Sequence, residues 1–137
     1  MKIEEQVLSR EQMVHLVELG IDTSDASMCW VDTTTYGGGL QVATNNFATT
    51  QTFVDCPYMP AYTVADIIKK LPKEIQHNGI WYYLQISYSY RVVMYRNRYT
   101  EREYDELLYS YITGEDLLSS LFRILCCVAE NHKELIK

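Results

Sequence analysis

The chain has 137 residues, enough for one domain that buries roughly two-thirds of its unfolded surface. Hydrophobic residues make up 47% of it and charged residues 22%, a balance that excludes a disordered chain. No apolar run approaches the ~20 residues of a membrane span, and the polar, acidic start Met1–Glu5 predicts no signal peptide. We therefore expect a cytoplasmic protein that makes no membrane contact.

The net charge of −6 is unevenly distributed along the chain. Residues 1–60 carry two basic and eight acidic side chains, whereas residues 61–137 carry ten of each. The acidic part disfavours nucleic-acid binding because it would repel phosphates. It favours either simple solubility or a surface that meets a basic partner.

The first predicted element is an α-helix over Arg10–Leu19. It begins at a capping box, in which the side chains of Ser9 and Gln12 each accept the other residue's backbone N–H, and it ends before Gly20. Its predicted buried stripe is Met13, Leu16 and Val17. Three strands are predicted to follow, over Ala26–Asp32, Leu40–Ala43 and Phe47–Val54.

Two prolines predict irregular backbone over Cys56–Pro60, because proline cannot donate to a strand ladder or a helix. A second capping box, formed by Thr63 and Asp66, predicts a helix over Val64–Leu71. After a turn at Asn78-Gly79, apolar and polar residues alternate in the strongest β segment, Ile80–Ser89.

Apolar residues resume at Val92, and a single strand from Ile80 to Arg98 would be about 60 Å long, so we predict a bend near Tyr88–Arg91. The segment Tyr104–Ile112 fits both a helix and a strand, and we predict a strand. A third box, at Thr113 and Asp116, predicts a helix over Glu115–Asn131 with a wide apolar stripe.

These elements predict an α+β fold in a single domain over residues 1–137. We expect a mainly antiparallel sheet of five to six strands with three helices packed mostly on one face. An exposed edge of such a sheet would allow a homodimer to form by edge pairing.

A stretch rich in tyrosine and arginine is the candidate binding site. Tyr88–Arg102 carries four arginines and four tyrosines but one acidic residue. These residue types dominate protein-interface hot spots, although they also suit cross-strand pairs and single-stranded nucleic acid. No RNA-recognition pattern is present, which disfavours nucleic acid. We predict partner binding, to another protein or to a second copy, at Arg91, Tyr95, Arg96, Arg98 and Tyr99.

The sequence offers no catalytic motif, and we predict no catalytic residue, no cofactor and no metal site. The four cysteines lack C-x-x-C spacing, so we interpret them as small hydrophobes; they are Cys29, Cys56, Cys126 and Cys127. Two alternatives remain open. In the first, the protein binds a small molecule or nucleotide in a pocket lined by tyrosines and Trp81. In the second, it is a hydrolase or transferase in which Cys56 lies close to a histidine and a carboxylate.

Three blocks of this sequence are familiar: Ser9–Ser24, Pro60–Pro72 and Gly114–Leu118. They resemble short uncharacterised proteins of gut anaerobic bacteria that are encoded near prophages or mobile elements. The resemblance covers most of the chain, but its motifs are structural caps and turns. It implies a phage- or element-encoded accessory protein and assigns no catalytic or binding residue. From the Tyr/Arg-rich stretch, the acidic N-terminal half and the lack of a catalytic motif, we expect a non-enzymatic interaction protein.

Overall fold

The computed structural model describes residues 2–34, 37–44, 57–87, 92–97, 107–112 and 116–136, with the backbone alone at 107 and 110–112. The protein is α+β, and the described residues form three α-helices and two antiparallel sheets of three and four strands. The predicted single sheet of five to six strands is therefore not confirmed. The chain divides into two compact units, residues 1–66 and 67–137. That it is one domain stays a prediction.

The first unit contains the three-stranded sheet, in the order β2-β1-β3. Helix α1 packs against β3. A second helix, α2, begins in this unit and continues past residue 66. The bounds are α1 Arg10–Glu18, β1 Met28–Asp32, β2 Leu40–Thr44, β3 Tyr58–Ala61 and α2 Val64–Lys70. These elements agree with the predicted ones except at β3, while the predicted strand Phe47–Val54 lies outside the described residues.

Strand β3 corrects the prediction of irregular backbone at Cys56–Pro60. The backbone N–H of Asp32 donates to the carbonyl oxygen of Pro57 at 3.0 Å. Because hydrogen-bonded and non-bonded pairs alternate in an antiparallel ladder, Pro60, opposite Cys29, falls at a non-bonded position. Its missing N–H would point away from β1, so proline costs this edge strand no ladder bond.

The first two predicted capping boxes are confirmed. Ser9 and Gln12 exchange bonds of 3.2 and 2.9 Å at the start of α1. Thr63 and Asp66 do the same at α2, at 3.2 and 3.0 Å. The Asp66 carboxylate also accepts the backbone N–H and the hydroxyl of Ser27, at 3.1 and 2.7 Å. It thereby joins the start of α2 to the loop before β1.

The second unit contains the four-stranded sheet, in the order β4-β5-β6-β7. Asn78 and Gly79 both have positive φ, as a tight hairpin between β4 and β5 requires. Helix α3 packs against β6 and β7. The bounds are β4 Glu74–His77, β5 Ile80–Ser87, β6 Val92–Arg96, β7 Leu107–Ile112 and α3 Leu117–Asn131. Within the described residues, no helix is long and apolar enough to cross a membrane.

Two predictions about this unit are confirmed and two differ. Ile80–Ser87 and Val92–Arg96 are two antiparallel strands rather than one long strand, and residues 107–112 form a strand. The predicted bend near Tyr88–Arg91 itself lies outside the described residues. Strand β4 was not predicted. Helix α3 begins at Leu117 rather than at Glu115, because Asp116 is itself the N-cap and accepts the N–H of Ser119 at 2.8 Å. Thr113, the predicted cap, lies outside the described residues.

The extra bonds of Asp66 make this capping-box residue more costly to remove than the N-cap Ser9. We expect Asp66→Ala to lower the free energy of unfolding by about 2 kcal/mol, because the Ser27 loop also loses its acceptor. Ser9→Ala should cost about 1 kcal/mol, since it removes a cap alone. Urea unfolding at neutral pH measures both. A cost for Asp66→Ala no larger than that for Ser9→Ala would contradict this assignment.

Two buried tyrosines predict a loss of stability at alkaline pH. Burial raises the pKa of Tyr62 and of Tyr95 above the ordinary tyrosine value. The unfolded chain therefore releases these protons first as pH rises above ~10, and the free energy of unfolding falls. We expect Tyr62→Phe to be about 1 kcal/mol less stable at about pH 8 but to show a shallower alkaline decline. Urea unfolding at about pH 8 and pH 10.5 measures this; an unchanged slope would rule the mechanism out.

Candidate functional site

The structure describes two of the five predicted partner-binding residues. Tyr95 is fully buried, and its hydroxyl donates to the carbonyl oxygen of Pro72 at 2.7 Å. The guanidinium of Arg96, half-buried on the same strand, donates to the Gln85 side chain at 3.4 Å. Arg91, Arg98 and Tyr99 lie outside the described residues. Tyr95 thus belongs to the interior of its unit, and Arg96 is the described member that reaches the surface.

The buried cysteines are unsuited to nucleophilic chemistry. Burial raises the pKa of the Cys29 thiol, and burial together with the charge of Glu130 raises the pKa of Cys126 to about 12. Both thiols are therefore protonated at neutral pH, when only a thiolate would react. This agrees with their interpretation as small hydrophobes. Cys56 lies outside the described residues.

A cluster of rings in the second unit surrounds a buried imidazole. His132, which follows α3, lies 5.6 Å from the ring of His77 and 6.1 Å from the ring of Tyr109, measured between centroids. Its Nε2 is buried without a hydrogen-bond partner. Among the residues that the structure describes, no three histidine, cysteine or acidic side chains are placed to hold a metal ion.

An apolar groove lies between helix α1 and strand β3 of the first unit. It encloses about 270 Å³ and is open to solvent. Helix α1 and Thr23, which lies in the loop after it, form one side of the groove. Three consecutive residues of β3 form the other side. The lining residues are Met13, Val14, Val17, Glu18, Thr23, Tyr58, Met59 and Pro60.

Helix α1 buries only a narrow apolar stripe, so other apolar side chains of the helix remain exposed in the groove. Met13 and Leu16 are fully buried, whereas Val14 and Val17 are 41% and 56% exposed. Positions three residues apart lie on one side of a helix, so the two valines form a second apolar strip beside the buried one. Val17, which the sequence pattern assigns to the buried stripe, therefore lies at the surface.

Tyr62 holds the wall of the groove in place. Its backbone N–H donates to the Met13 sulfur at 3.4 Å, and its carbonyl oxygen accepts from Leu8 at 2.9 Å. Its hydroxyl donates to the Asp25 carboxylate at 2.7 Å and lies 3.1 Å from the carbonyl oxygen of Asp22. These bonds connect β3 to α1 and to the loop that follows α1, so the groove is built on a fixed scaffold.

The helical side of the groove carries one acidic residue, Glu18. A second open depression adjoins the groove along α1 and shares Val14, Glu18 and Met59 with it. Glu11, Arg10 and His15 line the remainder of this depression. Over the whole first unit, nine acidic side chains stand against two basic ones. The arrangement combines an exposed apolar strip on α1 with an excess of negative charge in the unit.

Comparison with protein-family models, with curated proteins and with solved structures finds no match. The functional conclusion therefore rests on this geometry. The sequence does not reveal the groove, because the spacing of Val17 is the same for a buried and for an exposed position. The signal it did contain was the excess of acidic residues in the first 60 positions.

Proposed function

We propose that this protein is a non-enzymatic interaction module that binds a segment of another protein in the α1–β3 groove. The observation that carries the proposal is the pair of exposed valines, Val14 and Val17, opposite Tyr58, which is 50% exposed. Together they form a continuous apolar surface on a fixed scaffold, and such surfaces mark interaction sites. An accessory role in a prophage or mobile element, in the cytoplasm, is part of this proposal.

The size of the groove favours side chains of a protein over a small molecule. Ligand sites occupy about 300–1,000 Å³ and enclose most of the ligand. The groove holds about 270 Å³ and is open, which suits one or two apolar side chains. The alternative pocket lined by Trp81 gains no support, since Trp81 is 41% exposed on β5. A protein partner is therefore the better occupant.

The Tyr/Arg stretch stays a second proposed contact, to a protein partner or to a second copy. Arg96 supports it as a half-buried guanidinium on β6. Arginine forms planar, multiply bonded contacts at interfaces. The variant Arg96→Ala distinguishes the two surfaces. It should weaken a partner that binds at the Tyr/Arg stretch and leave the affinity of a partner that binds in the groove unchanged.

A random peptide display library tests the groove. We expect the full chain to enrich a family of peptides whose affinity falls at least about fivefold for the double variant V14S/V17S, because both side chains are contact residues. Both positions are surface positions, so the variant should fold normally. Fluorescence anisotropy with a labelled enriched peptide gives the dissociation constants.

The matched control is Ile3→Ser, which removes an apolar side chain of similar exposure, 46%, outside the groove. It should leave the affinity unchanged. If every enriched peptide binds V14S/V17S as tightly as the wild-type chain, the groove is not the binding site. If Arg96→Ala alone weakens them, the partner binds at the Tyr/Arg stretch instead.

A further inference from the structure

We infer that the groove takes an amphipathic helix with basic residues on one side and apolar anchors on the other. The inference rests on the proposed function and adds the chemistry and conformation of the partner. Three observations support it: the spacing of charged residues along α1, the net charge of the first unit, and the backbone hydrogen bonding along the free edge of β3.

Along the depression that adjoins the groove, α1 alternates between acidic and apolar residues, and of these Val14 and Glu18 also line the groove. Glu11, Val14 and Glu18 follow one another at i, i+3 and i+7, so they share one side of the helix. Glu11 and Glu18 are seven residues apart, a separation of about 10 Å along the axis. A second helix lying along α1 would match this side with basic, apolar and basic residues at the same spacing.

The wider surface reinforces this preference for positive charge. The first unit carries nine acidic and two basic residues. Arg10 lines the adjoining depression with Glu11 and Glu18 and offsets part of their charge. A cationic segment would be attracted by the net negative charge of the unit, and the attraction would weaken with salt.

The β3 edge disfavours an extended partner. Of the three β3 residues at the groove, Tyr58 and Pro60 have their backbone groups directed away from β1, and Pro60 has no N–H. Beyond β3 the same edge is already paired, since Val7 bridges Thr63 and Leu8 donates to Tyr62. An added strand would find too few partners for its own backbone, whereas a helix satisfies its backbone internally.

Three labelled peptides of about 14 residues test the inference by fluorescence anisotropy with the full chain. The first is a Lys/Leu/Ala amphipathic helix, the second replaces each Lys by Glu, and the third keeps the Lys side chains but carries a central Pro that breaks the helix. We expect the first to bind at least about fivefold more tightly than either of the others. Raising NaCl from about 0.05 to about 0.5 M should weaken it several-fold.

Chain variants then locate the binding. Val17→Ser should weaken the Lys/Leu peptide at least about fivefold, and Glu18→Gln about two- to fivefold. Glu4→Gln removes an exposed acidic charge outside the groove and should leave the affinity unchanged, which separates site-specific attraction from the net charge of the unit.

The outcomes distinguish the inference from the proposed function. Equal affinity for the Lys and Glu peptides, with both weakened by Val17→Ser, would overturn the charge preference and leave the groove as the site. Equal affinity for the helical and Pro-containing peptides would overturn the helix. If Val17→Ser has no effect on Lys-peptide binding, or Glu4→Gln weakens it as much as Glu18→Gln does, the peptide recognises net charge rather than this groove and the inference fails.

Discussion

The interactions of one buried residue, Tyr62, organise the first unit. Its main chain bonds to the Met13 sulfur and to Leu8, and its hydroxyl bonds to the loop after α1 through Asp22 and Asp25. A residue that lies just beyond β3 thus fixes the helix, the N-terminal segment and the loop at once. Because these bonds hold α1 beside β3, the space between the two elements is a groove of defined width. The proposed binding surface therefore depends on a side chain that does not line it.

Local sequence signals predicted the helices and most of the strands, whereas strand β3 and the candidate site depend on tertiary contacts. The boxes of α1 and α2 were predictable because each cap bonds within four residues. At α3, both Thr113 and Asp116 are good cap residues, and no local rule ranks them. Strand β3 was not predicted, because Pro60 is tolerated in a strand only where its position needs no N–H for the ladder. That depends on the register of β3 against β1, which the local sequence does not determine.

The candidate site was the least predictable feature, for the same reason. Alternation along β6 shows that Tyr95 and Arg96 point to opposite sides of the sheet, but α3 decides which side is covered. Likewise, the helical period predicts that Val17 is near the apolar side of α1, but the packing of α1 against β3 leaves it exposed. The acidic excess of the first 60 residues was the sequence observation that agreed with the location of the groove.

The most direct test of the account observes the groove during binding. Methyl NMR spectra of the valine-labelled chain, recorded while the Lys/Leu/Ala helix is titrated in, report on each valine separately. We predict progressive shifts of the Val14 and Val17 methyl signals, while those of Val93 and Val128, both fully buried in the second unit, stay in place. Shifts confined to other valines, with Val14 and Val17 unchanged at saturation, would contradict the claim that the α1–β3 groove is the binding surface.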